Sequence, residues 1–493
     1  MKIRSRVLVA ATVVVSAVSV ALASGTASAH APTTPAVRGL AVAGAGAVST
    51  VAVGPRSMRP GGRVTVSGAG YRPGMVTVTV GVARVTATAD GTGRFSARVQ
   101  VPWATVPGVV TVTAVQGVRR ASASLRVGVD WKVPGFNRAH SFVNPYEKQL
   151  TTTTVARLAV MGRFALPGKD ADNRFGWFAT VGDSAYACTL LGDVVKFDLT
   201  TRAPLWFYET GEEHVQRCSG EGGPYVDGNG DVWIGQILLD GANGDEFRWG
   251  FYYADATIAY GGLILAMPTA VGGGPFALDP KTGDVVWKAT AGGTGGFITS
   301  PGVLYHWDGD ILYATDPTSG RDLWAHTFPD GYVRDLASNG KQLIGVKSDT
   351  TGEPREVLAS FDPQSGEPTW KIDLSGRSSF VTVDASRAYL IRSLTAKDDR
   401  TLVGVGLDGR QQWATPLPKP DVLYDTRITQ ANGILYVPLY GALNTYDATT
   451  GALLDTLPLR DPAGDKVVPG AAIVDDGHVY LTTTTGVYDL TLP

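Results

Sequence analysis

The residues of this 493-residue chain that could do metal, redox or hydrolytic chemistry are few and scattered. Its six histidines, His30, His140, His214, His306, His326 and His478, show no H-x-x-x-H or H-E-x-x-H spacing, so no zinc site is predicted. The run Asp227-Gly228-Asn229-Gly230-Asp231 begins like a calcium loop, but Val232 and Leu238 stand where that loop needs Gly and Glu. It reads as a hairpin turn. No G-x-S-x-G elbow and no phosphate-cradling P-loop occurs. The only cysteines, Cys188 and Cys218, lack a C-x-x-C arrangement; in an exported chain they predict one structural disulfide. In the chain-entropy picture a loop of that size contributes ~3 kcal/mol. No catalytic, cofactor-binding or metal-binding set is therefore predicted.

The elements around these residues announce themselves by repetition. An Asp is followed eight residues later by a Trp in Asp198…Trp206, Asp279…Trp287, Asp316…Trp324 and Asp362…Trp370. A shortened copy runs Asp408…Trp413, a copy at Asp447 has Asp455 in the Trp position, and a blurred copy runs Asp240…Trp249. Asp489 would complete the series. The period matches one four-stranded propeller blade. Within each unit Asp caps a tight turn, Gly takes the left-handed position, and Trp lies on the following outer strand to fill the wedge between blades. The last copy ends without an outer strand, while residues 158–164 are an outer strand without a blade. Pairing the two would close the ring and remove both open edges. Eight blades are expected, with seven as the alternative.

Residues 48–129 read differently. Runs such as Val76-Thr77-Val78-Thr79-Val80 alternate apolar and polar residues between turn signals such as Pro60-Gly61-Gly62, which predicts a small β-sandwich. This stretch holds ten arginines against one acid, Asp90, whereas residues 130–493 hold 29 basic and 44 acidic residues. The overall charge of −2 hides the split. A basic module of this kind suits an anionic polymer, or its own acidic partner domain. Residues 1–29 have the basic start, apolar run and Ala27-Ser28-Ala29 site of a signal peptide, and residues 30–47 read as a disordered linker. A soluble, exported, all-β protein is expected, with no later membrane span and no nucleic-acid partner.

The segments LDPKTGDVVW, TDPTSGRDLW and FDPQSGEPTW resemble the repeats of pyrroloquinoline-quinone-like (PQQ-like) propellers, the quinoprotein alcohol-dehydrogenase-like superfamily that includes BamB-type scaffold proteins. The lead-in, residues 130–150, resembles the stretch before the first blade in secreted members, and 151–493 would then be the propeller. The phrases PGGRVTVSGAGYRPG and ADGTGRFSARVQVP resemble bacterial immunoglobulin-like modules. The quinone-dependent members hold PQQ over the channel with calcium, a catalytic Asp and an adjacent-cysteine disulfide, and this chain has no Cys-Cys pair. With no catalytic set in view, the expectation is a non-catalytic extracellular protein that binds a protein or glycan at the cell envelope, and the basic charge of residues 48–129 suggests that this module reaches anionic wall polymer. The alternative that the resemblance implies is a PQQ-dependent dehydrogenase or another extracellular propeller enzyme.

Overall fold

A computed structural model describes residues 48–102, 105–133, 135–166, 175–190, 192–209, 224–227, 230–234, 237–248, 254–268, 273–290, 296–349, 355–393, 400–418 and 427–493. The expected signal peptide, the linker, Cys218 and Trp249 lie outside these residues. The fold is all-β, as expected.

Strict alternation builds the first unit. On Arg63–Ala69, Val64 and Val66 are buried while Arg63, Thr65 and Ser67 face water. This strand lies between Thr50–Gly54 and Phe95–Gln100 in a three-stranded sheet. A five-stranded sheet covers it, in the order Ser57–Met58, Arg119–Val127, Gly108–Gln116, Gly74–Val80, Ala83–Ala89. Val64, Val66, Val76, Val78, Phe95, Val112 and Leu125 share one core between the sheets.

Eight further sheets follow among the described residues. The first is an antiparallel meander of Phe175–Val181, Ser184–Thr189, Val194–Asp198 and Pro204–Tyr208. Six more occupy residues 225–248, 254–288, 297–327, 331–373, 377–416 and 429–458. The eighth takes Pro469–Asp475, His478–Thr483 and Gly486–Thr491 from the end of the chain and adds Ala159–Phe164 as its outer strand, with Phe164 opposite Val487. The predicted split sheet is present. It closes the ring: Phe164 and Tyr480 pack with Phe178 and Phe197 of the first sheet, and Ala472 and Val474 pack with Ile434 of the seventh.

The repeated residues work as a joint between neighbours. Each Asp ends the third strand of its sheet or follows it within two residues, and accepts from the turn: Asp198 Oδ1 from Thr201 N at 2.7 Å, Asp279 Oδ1 from Lys281 N at 2.7 Å, Asp316 Oδ1 from Thr318 N at 2.8 Å. Asp362, Asp408 and Asp447 do the same to Gln364, Arg410 and Thr449. Each Trp lies on the fourth strand and packs against the turn glycine of the next repeat. A Cβ on Gly320 would come within 2.5 Å of Trp287, one on Gly366 within 2.6 Å of Trp324, and one on Gly451 within 2.4 Å of Trp413. Trp206 and Trp370 meet Gly244 and Gly409 in the same way, and Trp370 also donates Nε1–H to Leu407 O at 2.9 Å. These glycines are thus required twice, for positive φ and for the space the ring occupies. Asp489 corrects the series: it caps no turn, is buried on the closing strand, and accepts from Arg202 and His478.

Candidate functional site

The innermost strand of a propeller sheet presents an open edge to the channel, and its N–H and C=O groups need partners. Here residues 131–144 supply them. Trp131 exchanges two backbone bonds with Thr180 of the first sheet, at 2.9 and 3.1 Å. Val226 of the second donates to Lys132 O, Thr299 of the fourth to Arg138 O at 2.7 Å, and Ser338 of the fifth to Ala139 O at 2.9 Å. Val383 of the sixth donates to Ser141 O, Gln430 of the seventh to Phe142 O, and Asn144 Nδ2 to Val474 O of the eighth at 2.7 Å. The third sheet is met by the Arg138 guanidinium, 5.8 Å from the centre of the Tyr260 ring. The segment therefore visits the sheets in order around the ring and fills the mouth at which the innermost strands end. Its backbone takes positive φ at Phe136, His140 and Phe142, a strain tolerated only where surrounding bonds fix the path.

The sandwich is fastened at the same mouth. Arg59, 7% exposed, donates to Val129 O at 2.6 Å and Thr180 Oγ1 at 2.7 Å, and pairs with Asp475 of the eighth sheet. Arg126 Nε lies 2.7 Å from Asp476 Oδ1. Burial pushes the Asp475 carboxyl up to about 6 against the pull of Arg59, while burial would lower Arg59 but the charges of Asp475 and Asp130 hold it above its ordinary value. The two shifts oppose one another in sense, and the direct contact of Arg59 Nη2 with Asp475 Oδ2 has the geometry of an ion pair. Asp130 and Lys132, 3.2 Å apart, continue the charged seam into the ring segment.

Beside this seam a cleft of about 500 Å³ opens over the ring segment and the second to fourth sheets. Tyr225 and Tyr260 give it aromatic walls, and Lys132, Asn137, Arg138 and Ser300 give it polar groups. Burial raises the Tyr225 hydroxyl, so that tyrosine is a neutral donor. Aromatic faces with convergent donors suit a sugar ring or a peptide loop.

The residues singled out from the sequence are not at this cleft. The Asp and Trp series lies along the third and fourth strands, and Cys188 is buried on a strand of the first sheet. No free cysteine occurs among the described residues. Asp231 N–H donates to Asp227 Oδ1 at 3.0 Å beside the antiparallel pair Tyr225–Val226 and Val232–Ile234. Sequence reasoning missed Arg59, the ring segment and the cleft, because none lies in a periodic pattern. Calcium needs several carboxylates converging, and no group of three or more His, Cys, Asp or Glu residues gathers among the described residues. Among the described residues the donor set does not offer the converging carboxylates that a calcium-held quinone needs. No helix among the described residues is long and apolar enough to cross a membrane.

Comparisons with known proteins agree with this architecture. Residues 273–420 and 308–491 match the family described as outer membrane protein assembly factor BamB. No curated protein matches the chain significantly. Among solved structures, quinohemoprotein alcohol dehydrogenase from Comamonas testosteroni is 14% identical, with TM-score 0.55 over 74% of this chain and 80% of that one. A europium-containing methanol dehydrogenase is also 14% identical, with TM-score 0.54 over 74% and 98%. The computationally designed Ika8 protein is again 14% identical, with TM-score 0.51 over 67% and 100%. At such identity the likeness concerns the fold. The fold of the C-terminal part is that of a β-propeller, and residues 273–491 are similar to the family described as outer membrane protein assembly factor BamB.

Proposed function

We propose that this is an exported, non-catalytic binding protein of the cell envelope. An eight-bladed propeller carries an immunoglobulin-like sandwich at one mouth and engages a protein or glycan partner through the cleft beside it. The ring segment carries this reading. It commits the edge groups of that mouth to the chain's own backbone and leaves an aromatic, hydrogen-bonding cleft on its outer side. The BamB-type match supports a role in protein association at the envelope.

The sandwich has a second contact to offer. Arg59 and Arg126 are used on the propeller, but Arg56, Arg63, Arg72, Arg84, Arg94, Arg98 and Arg120 are exposed. They lie on both sheets and in loops, so the field is diffuse and suits a flexible anionic wall polymer better than a shaped epitope. Cosedimentation of the purified chain with anionic wall polymer tests this: capture at low salt should fall steeply by 0.5 M salt. Replacing Arg63, Arg84, Arg98 and Arg120 together by Gln should lower it at least tenfold. Capture that ignores both salt and these substitutions would remove the wall contact.

Cys188 and Cys218 complete the proposal as a disulfide. Peptide mapping without reductant should recover the linked pair, whereas two alkylatable thiols would exclude it.

A further inference from the structure

Arg334 lies on the innermost strand of the fifth sheet, Phe380 between the two short strands that begin the sixth, and Arg427 two residues before the innermost strand of the seventh, and the three side chains meet. The two arginines differ in one respect. Arg334 is neutralised: its Nε lies 3.1 Å from Glu356 Oε1, and its Nη2 donates to Ser378 O at 2.9 Å and Ser379 O at 3.1 Å. Arg427 is 8% exposed, yet neither Nη1 nor Nη2 has a hydrogen-bond partner. No carboxylate lies within ion-pair distance of it among the described residues. Its guanidinium carbon sits 3.8 Å from the centre of the Phe380 ring and 5.0 Å from that of Phe142. Neither ring offers an oxygen acceptor to the enclosed Nη1 and Nη2 donors.

A third group completes the set. His140, 3% exposed, has an Nδ1 without a partner. It is held neutral first by burial and then by the nearby charge of Arg427. A buried cation with two unused donors is unfavourable by itself, and contact with aromatic faces offsets only part of that. A planar oxyanion at its edge would satisfy both donors at once. No group of three or more metal-ligating side chains gathers among the described residues, so the chemistry points to an anion.

We propose that Arg427, with His140 beside it and Phe142 and Phe380 as walls, forms a site inside the ring for a small oxyanion, a carboxylate being the best geometric match. The site stands apart from the outer cleft and holds whether or not that cleft binds a glycan.

Thermal unfolding and titration calorimetry of the full chain with succinate, with phosphate and with chloride at matched ionic strength test it. A saturable rise in melting temperature with succinate or phosphate over chloride is expected. Succinate alone marks a carboxylate site, and a response to phosphate as well marks a general oxyanion site. Arg427→Met should weaken that binding at least tenfold while leaving the circular dichroism spectrum unchanged. Arg377→Gln, an exposed arginine on the neighbouring sheet, should leave it intact. No response beyond chloride, or an equal response in Arg427→Met, overturns the site. Should Arg427→Met fail to fold, the ¹⁵N shifts of the His140 ring in the unaltered protein decide: a saturable change with succinate supports the site and no change overturns it.

Discussion

Arg59 is the only arginine of the sandwich that is fully enclosed, and its position decides how the two units meet. Its guanidinium contacts the first and eighth sheets together, across the seam where the ring closes. Removing one member of a buried pair leaves the other charge without compensation, which typically costs 3–5 kcal/mol, roughly. Arg59→Met should therefore lower stability by about that amount in denaturant unfolding. Adding Asp475→Leu should recover most of it. If the single variant is as stable as the double, the ion pair does not hold the junction. Arg59 was not legible in the sequence. It lies in a turn-rich stretch, Met58-Arg59-Pro60-Gly61-Gly62, where nothing separates a buried arginine from its nine exposed or half-exposed neighbours.

At the scale of elements, the blades were legible because their turns have a chemical signature. Asp, Gly and Trp recur at fixed offsets since capping, positive φ and inter-blade packing each demand one residue type. Asp489 misled because an Asp on a strand and an Asp at a turn look alike without the residues after them. The ring segment was invisible for the opposite reason. It makes backbone bonds to six sheets, and such bonds leave no side-chain pattern. Single strands also carry titratable groups that couple pH to stability. On Val303–Asp308, His306 is stacked 4.8 Å from Tyr313, bonded to Thr315 Oγ1, and lowered by burial to about 3. A histidine held below its unfolded value stabilises fully above about pH 6.5, and that contribution is lost as pH falls toward 3. By pH 5 the loss is on the order of 2 kcal/mol. The stability curve of His306→Phe should accordingly fall less steeply between pH 6.5 and 5 than that of the unaltered protein. Parallel curves would show that His306 titrates in the fold as it does in the unfolded chain, and would contradict the lowering.

For the whole molecule, the charge split acquires a structural sense. Part of the basic charge of the sandwich meets acidic groups of the eighth sheet, and the rest remains exposed. The mouth that the sandwich shares is filled by the chain's own residues 131–144, and the propeller is left with an outer cleft. A binding protein needs no more than this, whereas a quinone enzyme needs an open seat and converging calcium ligands. Titration of pyrroloquinoline quinone into the purified chain, with and without calcium, separates the two most directly. The account predicts no saturable, calcium-dependent heat. Calcium-dependent binding near one quinone per chain would contradict it and make the propeller an enzyme.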